Sequence, residues 1–167
     1  RRQIGHAGGR FGLAVHDEEL PALPATEGGV APHRVGCEPA ARLGGDAELW
    51  GIVGILHDID YLRFPAEHCK KARELLFADS WPEEIIRAVE SHGWGICAGV
   101  EPLSPMEKAL YAVDELTGFV AACALVRPSK SLSDLEVKSV KNKWKAKGFA
   151  AGCNRDVIEG GAARLGM

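Results

Sequence analysis

The sequence predicts an all-α fold, in which a bundle of helices follows an irregular N-terminal segment. From Asp46 onward, apolar residues recur every three to four positions, which is the spacing of one helix face. Helix-start signals recur through the same region at intervals that suit helices of ordinary length. No stretch alternates apolar and polar residues in the way of a strand, and no internal repeat is evident.

Residues 1–42 are predicted to be irregular and to differ in kind from the domain at 43–167. Positions 1–45 hold nine of the 20 Gly and four of the 9 Pro. Because both residue types interrupt helices, we expect at most a short helix near 38–43. The abrupt change in composition leads us to interpret the first segment as a non-native or frame-shifted translation that is joined to a genuine domain.

Start signals predict three helices in the first half of this domain. Asp46 is placed to cap the first helix, because its carboxylate can accept from free backbone N–H groups. Pro65 is expected to open the second, since proline is favoured in the first turn. Ser80 and Glu83 have the spacing of a capping box and predict the start of the third.

Three more helices are predicted in the second half. Ser104 and Glu107 form another capping box, and the helix that follows is the longest, running to about Val126. Ser133 and Asn154 are interpreted as the start signals of the remaining two helices.

Composition and charge limit the class of protein. The 167 residues are 46% hydrophobic and 26% charged, as in one globular domain, and the net charge of −3 does not favour a nucleic-acid or membrane binder. The longest uncharged apolar stretch, 116–126, is shorter than the roughly 20 residues of a membrane-spanning helix. No secretory signal is recognised, so we expect a cytoplasmic protein without a membrane partner.

The five cysteines lie 26 to 32 residues apart and form no Cys-x-x-Cys pair. This spacing argues against a zinc knuckle or a disulfide framework. We therefore expect reduced, mostly buried thiols at Cys37, Cys69, Cys97, Cys123 and Cys153.

Polar residues on the apolar helix faces indicate where the chemistry is placed. Three imidazoles and two carboxylates, from four predicted helices, can all face inward: His57, His68, His92, Asp58 and Asp114. A buried carboxylate is unfavourable unless it is paired or bound to a cation. Mixed His and Asp ligands suit Zn²⁺, Mn²⁺, Fe or Ni better than Ca²⁺ or Mg²⁺. Taken singly, each His could instead be a hydrogen-bonded core residue, and Asp114 could pair with an Arg.

One stretch carries a family resemblance. The sequence GIVGILHDIDY at 51–61 resembles the signature of the HD-domain superfamily of metal-dependent phosphohydrolases, which is named for its His-Asp doublet. Within that superfamily the chain is similar to a subgroup of small, uncharacterised proteins. Further matching stretches lie at 67–69, 91–97, 112–118 and 126–131.

The resemblance implies an HD-type helical bundle at 43–167 that holds a divalent metal ion. The expected ligands are a first His, then His57, Asp58 and a distal Asp that corresponds to Asp114. His68 and His92 stand where members with two metals place additional histidines. The metal could be Mn, Zn, Fe, Ni or Mg.

This chain differs from the family at the position of the first His ligand. It normally stands on a helix well before the doublet, where this chain has Gly28. The nearest histidines are His16 and His33, and neither has a helical context, because prolines flank His33 and no helix is predicted near His16. This departure is the second reason for interpreting residues 1–42 as non-native.

The function implied by the resemblance is hydrolysis of a nucleotide or another small phosphoester by metal-activated water. Asp58 is expected to be a ligand, while Asp60 or His92 orients water or protonates the leaving oxygen. Arg127 and Lys130, just beyond the Asp114 helix, are the predicted contacts of the substrate phosphate.

An alternative assigns the chain to binding rather than catalysis. Residues 127–155 contain eight basic residues against two acidic ones. A catalytically impaired scaffold could therefore bind a nucleotide or RNA through this segment and Trp144. The overall acidity argues against general nucleic-acid binding, and a solvated helix face explains most of the lysines.

Overall fold

The structure is a computed structural model that describes residues 39–167, and its regular elements in this part are all helical. The all-α prediction is therefore confirmed for the described residues. Residues 39–43 form a short helix, where one was expected, whereas the other predictions for the N-terminal segment lie outside the described residues. The longer helices are α1 Ala47–Leu56, α2 Lys70–Ala78, α3 Glu83–Ser91, α4 Pro105–Leu125, α5 Val137–Lys145 and α6 Arg155–Arg164.

Three predicted caps are confirmed. Asp46 Oδ1 accepts from two backbone N–H groups of the first turn of α1, at 2.9 and 3.2 Å. Ser104 and Glu107 exchange hydrogen bonds in a complete capping box at the start of α4. Asn154 accepts from two backbone N–H groups of α6. Each cap satisfies helix N–H groups that have no partner within the helix.

Two predicted start signals are wrong. Ser80 does not cap α3, which begins at Glu83 after Pro82 without a side-chain cap. Ser133 does not open α5, which begins four residues later, at Val137. In both places the chain completes a turn between two packed helices before the next helix starts.

The predicted second helix is interrupted. Pro65–Glu67 is only a turn of 3-10 helix, and α2 begins after His68 and Cys69. Cys69 has a φ of 67°, a left-handed conformation that residues other than glycine adopt infrequently. The carboxylate of Asp60 accepts from the N–H of Ala72 at 2.8 Å and so caps α2 from another part of the chain. The break therefore frees His68 from the helix face it was predicted to share.

The core has two parts that share α4. The first cluster packs α1, α2 and α3 against the first half of α4, around Val53, Leu76, Ile86, Val89 and Leu110. The second packs α5 and α6 against the rest of α4, around Phe119, Cys123 and Ile158.

The two helices α4 and α6 approach each other closely. A Cβ atom at Gly161 of α6 would stand 2.6 Å from the Cα of Ala112, so only glycine permits this packing. Among the described helices, none is both long enough and apolar enough to cross a membrane.

Candidate metal centre

Three imidazoles and two carboxylates from separate segments meet at one place. His57 and His92 directly follow the last residues of α1 and α3, where each forms the C-cap. His68 lies in the break before α2, and Asp114 lies in the middle of α4. The five residues predicted as metal ligands are therefore brought together by the tertiary structure, with Asp58 among them.

Asp58 is the residue that reaches all three imidazoles. Its Oδ2 lies 3.5 Å from Nε2 of His57, and its Oδ1 lies 3.4 Å from Nε2 of His68 and 3.8 Å from Nε2 of His92. Oδ1 of Asp114 is also 3.5 Å from the Nε2 atom of His57. The Nε2 atoms and the carboxylate oxygens therefore face one small volume.

The opposite nitrogen of each ring is held by a hydrogen bond. Nδ1 of His57 donates to the carbonyl of Gly54 at 2.9 Å, and Nδ1 of His92 donates to the carbonyl of Val89. Because a carbonyl oxygen can only accept, the ring proton must be on Nδ1 in both residues. In the neutral rings, each Nε2 then presents a lone pair to the cluster, as a metal ligand does.

Asp60 holds the third ring in the same way. Its Oδ1 accepts from Nδ1 of His68 at 2.7 Å, and its Oδ2 accepts from the N–H of Ala72. The side chain is completely buried, and both oxygens are occupied. These contacts support a role in orienting His68, and the catalytic role expected of Asp60 from the sequence stays a prediction.

The donor set fits a cation. When both rings are neutral and carry their proton on Nδ1, the Nε2 atoms of His68 and His92 face each other at 3.3 Å as two acceptors. Two lone pairs at this distance repel, and the carboxylates of Asp58 and Asp114 add only further acceptors. A divalent cation bound to these Nε2 atoms would remove that repulsion, and the carboxylates are suitable ligands for the same class of ion.

Burial and charge divide the cluster into an inner and an outer side. The His92 side chain is 2% exposed, whereas those of Asp58 and Asp114 are 50% and 33% exposed. Burial lowers the pKa of His92 below its usual value. Burial also acts to lower the pKa of His57, but the hydrogen bond with Asp114 and the charges of Asp58 and Asp114 outweigh it and raise that pKa.

The pKa of the Asp114 carboxyl is shifted in the opposite direction from that of His57. Burial acts to raise its pKa, but the hydrogen bond with His57 and the nearby imidazoles outweigh burial and lower it. A metal ion bound to His57 here would therefore compete with a proton for the same nitrogen.

A thiol was not anticipated at this place. One ligand atom from each of His68, Cys69 and His92 lies within 4.8 Å of the others, so these residues form a group that could hold a metal ion. Cys69 in turn contacts Cys97, and the hydrogen bond between the two thiols raises the pKa of Cys69 and lowers that of Cys97. The sequence feature that could have predicted a thiol here is that Cys69 directly follows His68.

The predicted phosphate contacts lie elsewhere in the structure. Arg127 and Lys130 follow α4, and at about 1.5 Å per residue Arg127 lies roughly 20 Å along the helix axis from Asp114. The guanidinium of Arg127 is bound to Asp134, with its Nη2 atom 2.8 Å from Oδ2. Lys130 has a φ of 49° in an exposed turn. The structure does not bring either residue to the histidine cluster.

A cavity of about 240 Å³ is lined by residues 94–96, by one residue of α4 and by residues at the start of α6. Its lining includes Trp94, two residues after His92, and Tyr111, one helical turn before Asp114. The ring centroids of Trp94 and Tyr111 are 5.8 Å apart, in an edge-to-face arrangement. The lining of this cavity therefore includes an aromatic pair.

Comparison with known proteins gave no match to any protein-family model, any curated protein or any solved structure. The site is therefore defined by its own geometry. The described part of the chain is a helical domain with a histidine-rich group that could bind a metal ion.

Proposed function

We propose that this chain is a metal-dependent phosphohydrolase of the HD type, which acts on a nucleotide or another small phosphoester. The observation that carries the proposal is the cluster of imidazole Nε2 atoms and carboxylate oxygens around the His57-Asp58 doublet. The doublet and Asp114 match the ligand pattern that the sequence resemblance implies.

Asp58 is the central ligand in this proposal. It directs one oxygen toward His57 and the other toward His68 and His92. This arrangement suits a carboxylate shared between two ligand groups, with Asp114 completing the His57 side. Mixed imidazole and carboxylate ligands suit Mn²⁺, Zn²⁺, Fe²⁺ or Ni²⁺, and Mg²⁺ remains to be compared with them.

A divalent cation held here supplies two kinds of chemistry, because it polarises a phosphoryl oxygen and lowers the pKa of bound water. The chain itself supplies orientation. Asp60 fixes the His68 ring, and the carbonyls of Gly54 and Val89 fix the other two rings. The exposed edge at Asp58 and Asp114 leaves the substrate a route to the cluster.

The test measures metal content and turnover in the same preparation. The purified chain is loaded separately with each of the five candidate metals and assayed with p-nitrophenyl phosphate, its bis ester and a panel of nucleotides. We expect tight binding of at least one metal and turnover that depends on it. Asp58→Asn should lose both, whereas Asp134→Asn, a matched change at the distant Arg127 pair, should keep both.

Metal binding without turnover of any phosphoester would contradict the enzyme assignment. If nucleotides bind in that case, the binding-module alternative is favoured. Turnover that survives Asp58→Asn would show that the activity belongs to another site or to a contaminant.

A further inference from the structure

Two thiols from distant parts of the sequence lie against the same backbone position. A Cβ atom at Gly93 would stand 2.4 Å from Sγ of Cys69 and 2.3 Å from Sγ of Cys97. Both cysteines are reduced in the structure. Because Gly93 has no side chain, the two sulfur atoms share the space that its Cβ would occupy, and they form a close pair.

This thiol pair is built into the candidate metal centre. Cys69 directly follows His68, and Gly93 directly follows His92. The loop from Gly93 to Cys97 is closed by hydrogen bonds from the N–H groups of Cys97 and Ala98 to the carbonyl of Gly93. The pair therefore connects the two segments whose imidazoles face each other at 3.3 Å.

We propose that Cys69 and Cys97 are a thiol-oxidation site, which forms a reversible disulfide and thereby weakens metal binding at the neighbouring histidines. The second half of this statement rests on the proposed metal centre, whereas disulfide formation does not. Cys97 is the partly exposed member of the pair and Cys69 is fully buried, so an oxidant from solvent reaches Cys97 first.

With hydrogen peroxide as the oxidant, the reaction balances in two steps. The Cys97 thiol loses its proton, the thiolate attacks one peroxide oxygen, and the O–O bond breaks. Cys97 sulfenic acid and hydroxide are formed, and the hydroxide takes up the released proton to give water. The Cys69 sulfur then attacks the sulfenic sulfur, the S–S bond forms, and a second water leaves. The two thiols lose two electrons and two protons in total, and the peroxide is reduced to two waters. A dithiol reverses the step by thiol-disulfide exchange.

Two physical effects connect the disulfide to the metal. Bonded sulfur atoms are about 2.05 Å apart, so the segments that carry His68 and His92 must shift toward each other. Metal–ligand distances in formed sites lie within about 0.2 Å of their usual values, so a shift of these segments should disturb the two imidazole ligands. In addition, the sulfur of Cys69, which lies within ligand reach of both rings, is no longer available as a thiolate.

The experiment uses the full chain, reduced and stripped of metal, before and after treatment with hydrogen peroxide. Free thiols are alkylated under denaturing conditions and counted by intact mass, and the linked peptides are identified by proteolysis and mass spectrometry. We expect the five thiols to fall by one pair, with Cys69 joined to Cys97, and dithiothreitol to restore them. Zinc titration of the two forms should show weaker binding after oxidation, with a dissociation constant at least tenfold larger.

The control variants separate this pair from the other cysteines. Cys97→Ser and Cys97→Ala should abolish the intramolecular disulfide, and Cys153→Ser should leave it unchanged. Linkage of any other pair, or no loss of thiols, overturns the oxidation site. A Cys69–Cys97 disulfide that leaves zinc affinity unchanged overturns the coupling to the metal. If the reduced chain binds no zinc, the metal centre fails, while the peptide mapping still decides the disulfide.

Discussion

The two halves of the core use polar residues in different ways. Around α1, α2, α3 and the first half of α4, imidazoles and carboxylates point their lone pairs at one volume. Around the second half of α4, α5 and α6, charged groups lie over aromatic rings or bind backbone carbonyls. The candidate site is therefore distinguished by hydrogen-bond acceptors that converge on one volume, and not by a local excess of charge.

Arg155 shows how the second half uses its positive charge. Its guanidinium donates to the carbonyls of Trp144 and Phe149, at 3.2 and 2.7 Å. It also lies over the rings of Phe119 and Trp144, with 5.0 and 5.5 Å to the centroids. Trp144 packs edge to face on Phe119, which makes it part of the core cluster. These contacts support a structural role for two residues of the predicted nucleic-acid segment.

The largest expected effect is in the first half of the core. Asp58→Ala removes the one carboxylate that reaches all three imidazoles, so zinc or manganese affinity should fall at least a hundredfold by calorimetric titration. Asp134→Ala, which removes a carboxylate in the second half, should leave that affinity unchanged. Equal losses in the two variants would remove the distinction between the two regions.

A smaller loss of metal affinity is expected when either His57 or Asp114 is removed. His57→Ala and Asp114→Ala should each reduce metal affinity at least tenfold, because each removes one ligand and leaves the others in place. Far-UV circular dichroism should stay close to that of the parent chain, since neither side chain is part of the apolar packing. Unchanged metal stoichiometry in both variants would show that the metal is bound elsewhere.

Metal affinity should also depend on pH, with His57 as the reason. Its pKa is raised above 6.5, and a protonated imidazole cannot bind a metal. Affinity should therefore decrease as the pH falls through this raised value, by up to about tenfold per pH unit for one displaced proton. In Asp114→Asn the decrease should begin at a lower pH. A flat affinity profile from pH 8 to pH 6 would contradict this assignment.

A substitution in the second half of the core should change the stability of the protein and leave metal binding unchanged. Arg155→Ala should lower the free energy of unfolding by about 1–2 kcal/mol, because hydrogen bonds and cation–π contacts are lost together. Urea denaturation measures this change. Metal affinity should remain that of the parent chain, and a parallel loss of metal would mean that the two halves are coupled.

The smallest expected effect tests the helix that joins the two halves. Ser104→Ala removes the cap of α4 and should lower the free energy of unfolding by about 1 kcal/mol. Glu107 would keep its ion pair with Arg87, at 2.9 Å, so the helix should still form. Thermal melts of the metal-free protein are the suitable measurement. A loss of metal binding in this variant would indicate that the binding assay reports unfolding.

Local signals predicted much of the fold and of the ligand set. The caps at Asp46, Ser104 and Asn154 were identified correctly, because each depends on residues within one helical turn. His57 and His92 were expected on apolar helix faces, and both are largely buried. A helix period is a local property, and a sequence shows it directly.

The sequence by itself determined the helical class, which follows from periodicity, and the candidate set of histidines and carboxylates, which follows from helix positions and from the resemblance around the His57-Asp58 doublet. The tertiary structure decided how those residues are used. Asp60 binds His68 and caps α2 from a distance, Arg127 binds Asp134, and Cys69 lies against Cys97 across Gly93. Each of these contacts depends on turns and on helix packing, which bring together residues that no helical period relates.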